Sequence, residues 1–76
     1  MKQVSVKFSS VVQIQNFVNN MSSFASNVDL KSGTRTVNAK SIIGVFSLNI
    51  SEPITLIANG KDENEVINSI KDLIVE

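Results

Sequence analysis

Seventy-six residues suffice for one small domain, and seven basic against seven acidic side chains leave no net charge. The basic excess of a generic nucleic-acid or anionic-membrane binder is therefore missing. With neither cysteine nor histidine, the chain has no disulfide framework and no thiolate or imidazole ligand for a metal, so no cofactor is expected.

The apolar runs are too short for a bilayer, and Met1-Lys2-Gln3 lacks the apolar core of a signal peptide. A soluble, cytoplasmic domain over residues 1–76 is expected. In chain order, Val4, Val6 and Phe8 alternate with Ser5 and Lys7, the period-2 pattern of a half-buried strand. Ser9-Ser10 breaks the alternation. Val11, Ile14, Phe17, Val18, Met21, Phe24 and Ala25 then follow helical spacing, with glutamines and asparagines between them. Ser10 followed by Gln13 fits a capping box, and the spacing predicts a helix from residue 11 to 24.

Val28 and Leu30 mark a short strand, and Lys31-Ser32-Gly33-Thr34 reads as a hairpin turn in which glycine supplies φ > 0. Arg35 to Ala39 returns as its partner. Ser41 opens a short apolar helix to Leu48. Gly44 within it costs roughly 1 kcal/mol of helix propensity, so this helix is expected to form by packing. Pro53 starts a last strand, along which Ile54, Leu56 and Ala58 alternate. Asn59-Gly60 turns the chain. Asp62 with Glu65 predicts a second capping box, opening a helix that runs to the last residue on a stripe of Val66, Ile67, Ile70, Leu73 and Ile74. The order β-α-β-β-α-β-α predicts an α+β fold, a four-stranded antiparallel sheet covered on one face by three helices.

The stretch Val37-Asn38-Ala39-Lys40-Ser41-Ile42-Ile43-Gly44-Val45-Phe46-Ser47-Leu48-Asn49-Ile50 resembles the regulatory-site region of HPr. HPr is the phosphocarrier of the bacterial sugar phosphotransferase system, and its fold is the HPr open-faced sandwich. The likeness extends more loosely over nearly the whole chain. It fails at the family's other signature, a loop reading Gly-apolar-His-Ala-Arg-Pro-Ala, whose histidine accepts a phosphoryl group and whose arginine helps hold it. Counting back from Ser41 without a gap puts Ser10 in the histidine's place, Val12 in the arginine's and Gln13 in the proline's. A relay needs the nucleophilic imidazole and the labile phosphoramidate it forms. A serine ester holds phosphate too firmly, so no enzymatic or carrier role is expected.

The resemblance implies that Ser41 is a regulatory phosphorylation site for an HPr-type serine kinase. Structurally the same serine is an N-cap worth about 1 kcal/mol, and the two roles are compatible. Lys40, Ile43 and Phe46 are candidates for partner docking, since the family's short helix exposes an apolar patch. Ile42, Val45 and Leu48 are expected in the core. Arg35 and Lys40, isolated basic residues near the hairpin, read as solvated surface cations, with pairing to an acidic partner or a phosphate as the alternative. The expected partners are bacterial phosphotransferase or catabolite-control proteins, with no nucleic acid and no membrane. An exposed first strand allows a monomer or a weak edge-to-edge dimer. The alternative is a small interaction module that kept the fold and left the phosphotransferase system.

Overall fold

A computed structural model describes residues 1–75. Four strands and three helices follow the expected order: β1 (Lys2–Val6), α1 (Val11–Met21), β2 (Asn27–Ser32), β3 (Arg35–Asn38), α2 (Ile42–Phe46), β4 (Ile54–Asn59) and α3 (Glu63–Ser69). A single 3-10 turn, Lys71–Leu73, continues from α3. The sheet order is β1-β4-β2-β3, all pairs antiparallel. Alternation puts Val6, Val28, Leu30, Ile54, Leu56 and Ala58 on the buried face, against Ile14, Met21, Val45 and Val66 from the helices. Each large aliphatic side chain buried this way contributes about 1.5–3 kcal/mol. Phe8 and Phe17 meet edge to face, with ring centroids 5.0 Å apart.

Several boundaries differ from those the patterns predict, each for a tertiary reason. β1 stops at Val6 rather than Phe8, because its partner β4 begins at Ile54, just after Pro53. The Lys7 amide donates instead to the Leu73 carbonyl at 3.0 Å, and Phe8 turns into the core. α1 ends at Met21, short of Phe24. The Ser22 and Ser23 hydroxyls donate to the Val18 and Asn20 carbonyls at its end, competing with a further turn. Val11 stands exposed although it fits the apolar spacing. Between β2 and β3 only Gly33 and Thr34 form the turn, with Gly33 at φ +62.

The C-terminal helix is also shorter than its apolar stripe suggests. α3 ends at Ser69, Ile70 and Leu73 stay buried, and Ile67 and Ile74 are partly buried. Ile74 forms an antiparallel bridge with Val6, and the Val75 amide donates to the Ser5 carbonyl at 2.9 Å. The far edge of β1 is therefore covered at Ser5, Val6 and Lys7 by residues 73–75, while β1 remains the edge strand of the sheet along Lys2 to Val4. Glu76 lies outside the described residues.

The predicted capping box at α3 is replaced by a long-range latch. Asp62 makes no side-chain cap to its own helix. Its carboxylate accepts the Ala25 and Ser26 amides, each at 2.9 Å, and the Ser26 hydroxyl. Ser26 is a buried polar residue, and a satisfied one. Glu63 takes the local role instead, its carboxylate accepting the Gly60 amide at 3.2 Å. The latch joins the α1–β2 connection to the start of α3.

These bonds, the Ser26 hydroxyl first, hold the Asp62 carboxyl below its ordinary value of 3.8. A depressed folded-state pKa adds stability that is complete above the unfolded value and is lost as pH falls through the folded one. Asp62→Ala is therefore expected to lower the urea midpoint at neutral pH and to flatten the loss of stability below about pH 4. Glu63, held down first by the chain's amino group and next by the Gly60 amide, keeps its own share. Urea titrations of both proteins from pH 7 downward check this; parallel acid limbs would refute it.

Candidate functional site: two helix starts and the exposed side of α2

Both helix starts that matter for chemistry are capped by serine. At α1, Ser10 is extended (φ −157, ψ 162) and its Oγ accepts the Gln13 amide at 3.1 Å. The Gln13 side chain reaches back at 2.6 Å to the amide of Ser9, one residue before the position a capping box uses. Ser10 Oγ thus serves as a cap acceptor, and the sequence offers neither an imidazole nor a thiolate to take its proton. Val12 is 63% exposed on the first turn and brings no charge to this end of the helix.

At α2, Ser41 Oγ accepts the Gly44 amide at 3.2 Å, and the Ser41 carbonyl accepts the Val45 amide at 3.0 Å. The serine is exposed. Gly44 is where packing repays poor helix propensity: a Cβ there would lie 3.3 Å from both Ser41 Oγ and Val37 Cβ. Its absence lets the short helix sit close to β3. Val45 and Leu48 are buried and Ile42 is half-buried, whereas Ile43 is 80% exposed and Phe46 42%. An open groove of about 400 Å³ separates α1 from α2, lined by Gln15, Val18, Asn19, Ser22, Lys40 and Ile42.

The two cations near α2 are not free. Lys40 is half-buried, and its ammonium donates to the Phe24 carbonyl at 2.8 Å while its amide is held by Asn38 Oδ1 at 2.9 Å. Arg35 donates to the Ser47 carbonyl at the C-terminal end of α2, 3.3 Å away, where a positive charge suits the helix dipole. Both side chains tie elements together. Nothing in local sequence marks these contacts, since each joins residues distant along the chain.

The profile of the family described as the PTS HPr component phosphorylation site matches residues 6–76. The chain belongs to the HPr family. The HPr-like protein Crh of Bacillus subtilis is 40% identical over 62 residues, 79% of this chain and 73% of that protein. HPr from Thermoanaerobacter tengcongensis superimposes with a TM-score of 0.85 at 34% identity, over 97% of this chain and 91% of the other. The solved structure of B. subtilis Crh, described as a swapped dimer, gives 0.74 at 31% identity over 93% and 88% of the two chains. The HPr fold, four antiparallel strands and three helices, is thereby shown for this chain, and its relatives include HPr-like proteins of bacteria. No helix among the described residues is long and apolar enough to cross a membrane.

Exposure separates the two kinds of apolar residue on α2 of this HPr-family chain. Val45→Ala is expected to cost about 2 kcal/mol through lost burial and a residual cavity. Ile43→Ala is expected to stay within about 0.5 kcal/mol of the parent. Chemical denaturation reads both, and equal losses would mean that Ile43 packs against the body of the protein.

Proposed function

We propose that the chain is a regulatory, docking member of the HPr family that works in the cytoplasm of a bacterium beside phosphotransferase or catabolite-control proteins, and relays no phosphoryl group. One observation carries the reading: the helix start that holds the family's acceptor histidine here bears Ser10, whose oxygen is engaged as an N-cap. The chain contains no histidine anywhere, and Val12 stands where the family's phosphate-holding arginine belongs. Phosphate on a serine oxygen is an ester of low transfer potential, unsuited to rapid passage onward.

In the same reading Ser41 is the phosphorylation site of an HPr-type serine kinase, and Ile43 and Phe46 form the docking patch. The hydroxyl is exposed and already points an oxygen at the Gly44 amide, so a phosphate would sit where helix amides favour an anion. The cost of adding it is therefore small. Its effect falls on the surface next to Ile43, the most exposed of the large apolar side chains described.

Two incubations test the proposal. With an HPr-type serine kinase and ATP, intact mass is expected to show one added phosphate on the parent and none on Ser41→Ala. With phosphoenolpyruvate and the first enzyme of the phosphotransferase system, no acid-labile phosphate is expected. An unmodified parent in the first incubation removes the Ser41 switch. A labile adduct in the second removes the non-relay reading.

A further inference from the structure

The three helices cover one face of the sheet, and the opposite face carries a cavity of about 380 Å³. That volume lies within the range of small-molecule sites, about 300–1,000 Å³. Strand alternation builds it. Val28, Leu56 and Ala58 turn inward, so their neighbours Asn27, Asp29, Ile57 and Asn59 turn out onto the open face. The register then gathers them: Asn27 stands opposite Asn59, and Asp29 lies between Ile57 on β4 and Asn38 on β3. Three side-chain amides and one carboxylate thus line the cavity around the half-buried Ile57.

These polar groups are largely unspent. Asp29 is half-buried, and among the described residues its carboxylate accepts no hydrogen bond and joins no ion pair. The Asn27 and Asn59 side chains are likewise without partners among the described residues. Asn38 Oδ1 accepts the Lys40 amide at 2.9 Å, which leaves its NH2 group to donate elsewhere. A half-buried carboxylate without a donor favours any ligand that brings one.

We propose that this cavity binds a neutral polyhydroxylated small molecule, a sugar or a sugar alcohol. Charge and hydrogen-bond chemistry select that class. An anion would be brought against Asp29. A cation would meet other cations: Met1 and Lys40 line the cavity, with their ammoniums held by Glu63 and the Phe24 carbonyl. Lys31 shares the same face of β2. An apolar molecule would strip water from the carboxylate and the amides and return no hydrogen bond. Adjacent hydroxyls do return them. Each donates to the carboxylate or an amide oxygen and accepts from an amide NH2, while Ile57 meets the C–H side of the ligand. No aromatic ring lines the cavity, so binding is expected in the millimolar range. The site lies on the opposite face of the sheet from α1 and α2 and is independent of the docking role proposed above.

Glucose and sorbitol are the probes, with inorganic phosphate and methylammonium as charged comparisons, each titrated into the isotope-labelled chain and followed by NMR. Saturating shifts are expected at the Asn27, Asn38 and Asn59 side-chain amides with glucose, sorbitol or both, and with neither ion. Asp29→Asn keeps the shape but puts a donor where an acceptor stood, and is expected to weaken binding about tenfold or more. Asn27→Ala, at an exposed position, is expected to weaken it about threefold. Shifts that rise without saturating for both polyols, or equal shifts with either ion, would overturn the site. Unchanged affinity in Asp29→Asn would overturn it too, and Asn27→Ala decides in the same way if that variant does not fold.

Discussion

β4 holds the sheet together. It is last of the strands in sequence yet lies second in the sheet, hydrogen-bonded to β1 on one side and β2 on the other. Its inward residues Ile54, Leu56 and Ala58 are fully buried, and they meet side chains from elements spread over the whole chain. The sheet therefore closes only when residues more than fifty positions apart come together, as in the pairing of Lys2 with Ala58. Such long-range closure costs loop entropy before any burial repays it. Everything else in the fold is arranged to cover or brace this strand. α1 and α3 lie over its buried face, the Asp62 latch fixes the turn that follows it, and the C-terminal segment covers the neighbour it pairs with.

Long-range closure also explains where local sequence was enough and where it fell short. Strand and helix order was legible because period-2 and period-3.6 patterns need only neighbours along the chain. The serine caps of α1 and α2 were legible for the same reason. Asp62 misled because an acidic residue before an apolar helix has the local signature of a cap, while its actual partners are Ala25 and Ser26. Lys40 looked like a free surface cation because the Phe24 carbonyl that takes its ammonium is remote in sequence. The end of α3 was hidden because a buried stripe of Ile70, Leu73 and Ile74 is equally served by a helix or by a 3-10 turn followed by a bridge. Hydrophobic spacing records which side is buried, and it does not record which backbone gets there.

For the candidate site, residue type was legible in the sequence and exposure was not. A missing histidine is a plain fact of composition. Exposure is a property of three-dimensional packing, and Val11 shows the difference. It fits the apolar spacing of α1, yet it is about half exposed to solvent. Gly44 shows the converse. It weakens α2 as an isolated helix, and its missing side chain is what allows the helix to approach Val37 and keep Ser41 in capping position.

The two serine caps make the functional argument sharper than the loss of histidine alone. A relay site must hold phosphate loosely, between a nucleophile that gives it up and a cation that steadies it. At α1 neither a histidine nor the family's arginine is present, and the Ser10 oxygen accepts the Gln13 amide. A switch site has the opposite requirement: the phosphate must stay until an enzyme removes it, and the helix beneath must survive the added charge. On the proposed Ser41 switch, a stable ester on the N-cap of α2 would meet both conditions, because the helix dipole favours the anion. On the proposed function, the start of α1 lacks what transfer needs and the start of α2 has what a switch needs. That asymmetry between two chemically similar serines, together with the absent histidine, is the basis of the proposed non-carrier role.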